Sequence, residues 1–243
     1  MRALDKATNG AAARRAGGRV RRAQSERRRE STTLILDQAE ALFARKGYNG
    51  VTLNAVAKAA SVDTALMRYY FGDKQQLFRA VFVRRGPYVN ELRLKAMAEY
   101  RAAAGPAMTL EGLIDAFVRP AFQLMHVDEG WRNYGAIVAY VNSSRGELRG
   151  LMSETFDDVS HALIADMRRL MPGAPDEDLY WSYHFLTGAF TFSLGQTGRV
   201  DVLSEGLCRS NDMMAIAERL PTAMASGIRA MCSRRGSGGD AVR

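Results

Sequence analysis

The stretch 61-SVDTALMRYYFGDK-74 sets Arg68, Tyr69 and Tyr70 side by side on a segment only about two helical turns long, with Asp63 and Asp73 at its ends. Asp63 is placed to act as N-cap of a helix over 64–71, since a short carboxylate side chain can accept from a first-turn amide that has no partner inside the helix. On that helix Leu66, Met67 and Phe71 share an inward face, and Thr64, Ala65, Arg68 and Tyr69 point outward. Working backward, Thr52 can cap a short helix over 53–60, with Val56 and Ala57 inward and Asn54 and Lys58 outward. A turn at Ser61-Val62-Asp63 separates the two. Further back, Leu34, Leu36, Ala39, Leu42 and Phe43 follow helical spacing over 31–46, with Ser31 as expected N-cap and Gly47 as left-handed stop after Arg45 and Lys46.

Two short helices joined by a tight turn form a helix-turn-helix, whose second member can enter a major groove about 12 Å wide. Arg68 can there read guanine or hold phosphate. The hydroxyls of Tyr69 and Tyr70 can reach phosphate oxygens while their rings pack on the scaffold, and Lys74 adds a charge at the start of the next helix. In isolation an Arg-Tyr-Tyr run reads first as a solvated charge beside core aromatics; its setting in this three-helix pattern reverses that in favour of DNA.

The run 52-TLNAVAKAASVDTALMRYYFGDKQQLF-78 resembles the helix-turn-helix of the tetracycline-repressor (TetR) family of bacterial regulators, with the similarity covering about residues 31–80. The resemblance implies an all-α chain with an N-terminal three-helix DNA-binding domain and a larger helical ligand-binding and dimerisation domain. It implies DNA contacts at Thr52, Thr64, Ala65, Arg68, Tyr69, Tyr70 and Lys74, with Phe71 in the core; Asn54 joins this set from its outward position. The sequence departs from the family pattern at Ala65, where Gly is usual, at Arg68, often Tyr, and at Asp63, often a hydroxyl residue. The operator sequence therefore does not transfer. Downstream, 84-RRGPYVNELRL-94 resembles a subgroup that includes fatty-acid-responsive repressors.

Composition agrees with a folded regulator. The chain has 243 residues, 47% of them hydrophobic, and a net charge of +8, enough apolar content for a sizeable core. Residues 1–30 hold ten basic against three acidic side chains, so almost all the excess charge belongs to an Arg-, Ala- and Gly-rich arm that lacks a helical stripe. Such an arm is expected to be disordered alone. A solvated tail, a phosphate or minor-groove arm, and a transit peptide all fit it. The tail over 234–243 is likewise expected to be disordered. Cys208 and Cys232 have neither CxxC spacing nor a secretory leader before them, and no apolar run reaches membrane-spanning length, so a cytoplasmic protein without a membrane partner is expected.

Beyond residue 78 the pattern stays helical, over 74–103 with a kink or break at Gly86-Pro87, then 109–127, 131–142, 147–171, 176–196 and 209–233. This makes 31–78 the DNA-binding domain and 79–233 the effector-binding and dimerisation domain. The 147–171 helix carries one apolar stripe, whereas 176–196 carries two: Leu179, Tyr183, Leu186, Phe190 and Leu194 on one side, and Trp181, Phe185, Ala189 and Phe192 nearly opposite. A helix apolar on two faces needs two partners, either within its own domain or across a homodimer. Given the resemblance, the expected dimer interface is Phe156, Val159, Leu163, Met167, Phe190 and Leu194.

A surplus of large side chains, Phe117, Phe122, Met125, Trp131, Tyr134, Ile137, Trp181 and Phe185, marks either a filled core or a cavity for a small apolar effector of fatty-acid or acyl-CoA type. Arg119 or His126 is then placed to hold its carboxylate or thioester end. Catalytic signatures are missing: His126, His161 and His184 have no metal-ligand spacing, and neither a nucleophile elbow, a P-loop nor a dinucleotide turn occurs. No cofactor or metal is therefore expected. The sequence reads as a ligand-responsive homodimeric repressor of a palindromic operator, with a DNA-packing protein and a motif-free helical enzyme as alternatives.

Overall fold

The expected capping groups start the helices around the turn. Thr52 Oγ1 accepts from the Ala55 amide at 3.1 Å, Asp63 Oδ1 from Ala65 at 2.6 Å and Asp73 Oδ1 from Gln76 at 2.8 Å. In this computed structural model, which describes residue 26 and residues 28–233, these caps open α2 (Leu53–Ala59), α3 (Thr64–Phe71) and α4 (Lys74–Ala104). Ahead of them α1 runs over 28–46 and ends at Gly47, whose φ of 64° suits a residue without Cβ. Ser31 is inside this helix rather than its cap, because residues 28–30 are already helical, with Thr32 Oγ1 bonding back to the Arg28 carbonyl at 2.8 Å. The remainder of the basic arm, apart from residues 26 and 28–30, and the tail over 234–243 lie outside the described residues.

The body follows as α5 (Leu110–Leu124), α6 (Glu129–Ser143), α7 (Arg149–Leu170), α8 (Asp176–Leu194), α9 (Arg199–Leu203) and α10 (Met213–Ser233), with short 3-10 turns at Gly105–Ala107 and Gly146–Leu148. All regular structure among the described residues is helical. None of these helices is long and apolar enough to cross a membrane. The five-residue α9 escaped the periodicity analysis because it is shorter than the two turns a stripe needs. Thr109 and Asp128 cap α5 and α6, so α6 begins two residues before the position expected from its apolar pattern.

Pro87 does not break α4, which stays helical from Lys74 to Ala104. An internal proline costs about 3 kcal/mol, and packing against α5 and α7 along this helix offsets it. One hydrophobic core runs from the head, where Phe43 meets Phe78 edge-on at 4.8 Å, through Phe82 to Phe156 at 6.0 Å in the body. Gly86 sets how closely α4 and α7 approach: a Cβ there would lie 2.3 Å from Thr155 Cγ2 and 3.1 Å from Tyr134 Oη.

Head and body are also joined by charge. Glu40 of α1, 1% exposed, accepts from Arg84 Nη2 at 2.8 Å and from Arg85 Nε and Nη2 at 2.9 and 3.1 Å, while Arg84 Nη1 reaches Asp37 at 2.7 Å. Bidentate guanidinium geometry makes this stronger than an ordinary surface pair.

Two stability predictions follow from these contacts. Gly86→Ala should destabilise the chain by about 1–3 kcal/mol in urea unfolding, despite the ~1 kcal/mol gain in helix propensity, because Thr155 is stiff at χ1; adding Thr155→Ser, which removes Cγ2, should recover part of the loss. Glu40→Ala should cost up to about 3 kcal/mol, the lower end for a broken buried pair, because both guanidiniums keep some water.

Candidate functional site

Two places stand out, one on the head and one inside the body. On the head, Ser61 takes a left-handed φ of 53° and turns the chain between α2 and α3. Met67 is fully buried and Leu66 and Phe71 half-buried, so α3 is anchored along one side. Its other side is open: Ala65, Arg68 and Tyr69 are exposed, Tyr69 by 73%, with Thr64 and Tyr70 half-buried at the edges. Thr52, Asn54 and Lys58 expose their side chains at the start and on the outer face of α2.

Lys74 is held in place, its Nζ donating to the Tyr48 carbonyl at 3.3 Å and lying 4.3 Å from the centre of that ring. Arg28, from the basic segment, places its guanidinium 6.0 Å and 5.4 Å from the ring centres of Tyr69 and Tyr70. Helix α1 thus delivers one arm cation to the exposed face of α3, a position that periodicity over 31–46 gave no reason to expect.

The body encloses about 60 Å³ of free space where α4 to α8 meet. Of the side chains singled out in the sequence, Phe117, Met125, Trp131 and Tyr134 line this space. Phe122 and Ile137 are buried in the surrounding core and are not part of its wall. Trp181 and Phe185 are corrected outright: they stack on each other on the outer face of α8, 49% and 50% exposed, and do not reach the cavity.

The dimer-interface residues undergo the reverse exchange. Phe156, Val159, Leu163, Met167, Phe190 and Leu194 are at most 7% exposed within a single chain, and Phe156, Phe190 and Leu194 line the cavity. They have no free surface to offer a second copy. Both stripes of α8 are apolar, and packing against α6, α7 and α10, with the Phe117 and Phe122 rings of α5 beside Phe190, selects the Phe190 stripe for the interior. Arg119, expected to hold a ligand head, instead pairs with Asp115 at 2.6 Å, and His126 is exposed beyond the end of α5.

The polar wall of the cavity is uneven. Ser160 and Tyr183 share a hydrogen bond of 2.8 Å, and Asn142 donates to Thr191 at 3.0 Å. Arg93 and Tyr134, both lining residues on the α4 and α6 sides, are different: Arg93 Nε and Tyr134 Oη are buried without a hydrogen-bond partner among the described residues. Arg93 is 5% exposed, with the rings of Phe117 and Phe190 at 4.6 and 4.7 Å from its guanidinium carbon.

Burial pushes the Arg93 pKa down to about 10, so the group is still protonated at neutral pH. Its sign is destabilising: the penalty is fully present below that value and is relieved only as pH rises through it. Burial likewise raises the Tyr134 phenol above its ordinary value and keeps it a neutral donor. Sequence inspection missed Arg93, since nothing local marks an arginine as lacking a carboxylate.

Trp131 connects the two places. It lines the cavity, and its ring lies 4.7 Å from the Arg85 guanidinium carbon. Arg85 in turn grips Glu40 of α1. A displacement of the cavity wall at Trp131 therefore bears on the ion pair that holds the head.

Residues 35–81 match the model of bacterial regulatory proteins of the tetR family, and residues 115–227 match that of the tetracyclin repressor-like C-terminal domain. Among curated proteins the chain is similar to the HTH-type transcriptional regulator BetI of Agrobacterium fabrum, 27% identical over 144 residues, which are 59% of this chain and 65% of BetI. It is also similar to the biofilm operon icaADBC HTH-type negative transcriptional regulator IcaR of Staphylococcus epidermidis, 36% identical over 45 residues, 18% of this chain and 24% of that one. The chain spans less than two thirds of the length of these curated relatives.

The fold is shared with the transcriptional regulator FadR from Bacillus subtilis in complex with stearoyl-CoA, at 16% identity and a TM-score of 0.60 over 80% of this chain and 98% of that one. It is shared too with the fatty acid degradation regulator FadR from Bacillus halodurans, at 18% identity and a TM-score of 0.53 over the same shares. The two family models jointly account for more than half of the sequence, one on the head and one on the body, and the chain belongs to the TetR family of bacterial transcriptional regulators.

Proposed function

We propose that this chain is a ligand-responsive transcriptional repressor that binds a palindromic operator as a homodimer and lets go when an apolar effector enters the body cavity. The observation that carries the reading is the double role of Trp131, at once cavity wall and stacking partner of the arginine that holds Glu40. A regulator needs a ligand that binds its two states unequally. About 60 Å³ is far below the roughly 300–1,000 Å³ of ordinary ligand sites. An effector must therefore push the walls apart, Trp131 among them, and the closed form is the DNA-binding state.

On the head, α3 is the recognition helix, with Arg68 directed at a base edge, Thr64, Ala65 and Tyr69 beside it, and Thr52, Asn54, Tyr70 and Lys74 at the phosphates. Arg28 adds a phosphate contact next to Tyr69 and Tyr70. In the body, Trp181, Phe185 and the 64% exposed Phe192 form an aromatic face along α8, and a second copy is its partner. A twofold pair of heads reads two half-sites one helical turn, or a multiple of it, apart. Stearoyl-CoA in the Bacillus subtilis FadR structure makes acyl compounds the first effectors to test.

Selection of bound sequences from random duplex DNA should yield an inverted repeat, and recovery of no preferred sequence would refute the reading. Against the selected operator, Arg68→Ala should lose ~1–3 kcal/mol and relax preference at one position per half-site. Arg28→Ala should instead weaken all sequences alike and reduce the salt slope by about 1. In sedimentation, Trp181→Asp combined with Phe185→Asp should turn a dimer into a folded monomer; a persisting dimer would move the interface elsewhere.

A further inference from the structure

We propose that the body cavity is built for an organic monoanion, a carboxylate on a compact aromatic or acyl body, which enters head first and pairs with Arg93. The proposal deepens the ligand-responsive reading above and rests on it for its regulatory meaning. Its basis is a contrast within one helix. Arg84 and Arg85 on α4 are paired with Glu40, and Arg101 with Asp166 at 2.7 Å. Arg93 is the most deeply buried arginine of α4, and among the described residues it has neither an ion-pair partner nor a hydrogen-bond acceptor at Nε.

The rings of Phe117 and Phe190 supply cation–π contact, which recovers only part of what a guanidinium loses on leaving water. An unpaired buried charge is a standing destabilisation, and a bound carboxylate would remove it. Planar guanidinium and planar carboxylate also match as bidentate partners.

Tyr134, another lining residue, carries a second buried donor without a partner among the described residues, a neutral O–H on the Gly86 side of the cavity. The lining also includes Val138, Leu194 and the flexible Met125 and Met152, which are able to make way for an apolar body. One cation calls for one negative charge: a phosphate dianion would exchange an unpaired positive charge for an unpaired negative one. A coenzyme A thioester inserted by its acyl chain would leave Arg93 facing hydrocarbon. The geometry therefore favours the free acid over the thioester.

The test uses the full chain and matched probes: phenylacetate against phenylacetamide, octanoate against octanol, and octanoyl-CoA. Melting curves and calorimetry should show acids binding at least about tenfold more tightly than their neutral partners and than the thioester. Arg93→Met should raise the ligand-free melting temperature by removing the unpaired charge, and should abolish the preference for acids. If that variant fails to fold, Arg93→Lys keeps the charge without the planar fork, and acid binding should weaken while the preference over neutral probes remains.

Neutral probes or the thioester binding as well as the acids, or no acid shifting the melting curve at millimolar concentration, overturns the proposal. So does an Arg93→Met protein that keeps the acid preference. If neutral probes release the selected operator and acids do not, the regulator reading stands and the anion proposal falls. If no operator is found while acids bind through Arg93, the regulator reading falls and the anion site stands.

Discussion

The carboxylate of Glu40 is the point on which both halves of the molecule depend. Almost without water, it is paired with two adjacent arginines of α4, and a third carboxylate-guanidinium contact, Asp37 with Arg84, widens the clamp. A buried charge of this kind tolerates little displacement, because loosening one partner leaves the other desolvated and unpaired. It therefore works as a stiff joint between α1, which carries the core of the head, and α4, which runs on into the body. Stiffness is what a transmitted signal requires, since a compliant joint would absorb a small shift before it reached the head.

Helix α4 is the shaft of that joint, and its sequence solves three packing problems in turn. At its start Phe78 closes the head against Phe43; at Gly86 the missing side chain admits Thr155 and Tyr134; at Arg101 a second buried carboxylate, Asp166, ties it to α7. Pro87, one residue past the closest approach, removes an amide donor where tertiary contact already holds the backbone. Between the two satisfied ends lies Arg93, the one buried cation of this helix for which the described residues supply no anion. Charges along α4 are thus arranged as fixed, open, fixed, and the open position faces the cavity.

The two faces of α8 divide the body's work in the same physical terms. Phe190 and Leu194 fill the interior against α5 and α6, with Phe122 5.2 Å from the Phe190 ring centre. Trp181, Phe185 and Phe192 stay exposed on the opposite face. His184 lies in this exposed face, its ring 5.6 Å from Trp181, and Gly188 completes it without bulk.

The amino-acid sequence alone determined the features whose physics is local. Thr52, Asp63 and Gly47 start and stop helices through bonds spanning two to four residues, and the spacing of Met67 against Arg68 and Tyr69 decided which side of α3 is covered. The all-helical class and the position of the head were legible for that reason, as was the family, which rests on the same short-range pattern. Tertiary structure decided whatever depends on groups far apart in the chain. Periodicity found two apolar stripes on α8 but could not rank them, and only packing sent Phe190 inward and left Trp181 and Phe185 outside. Glu40 met its arginines across 44 and 45 residues. That Arg93 has no such partner among the described residues is likewise a property of its surroundings in space, because desolvation and pairing are set by what the fold brings within a few ångströms and not by neighbours in the sequence.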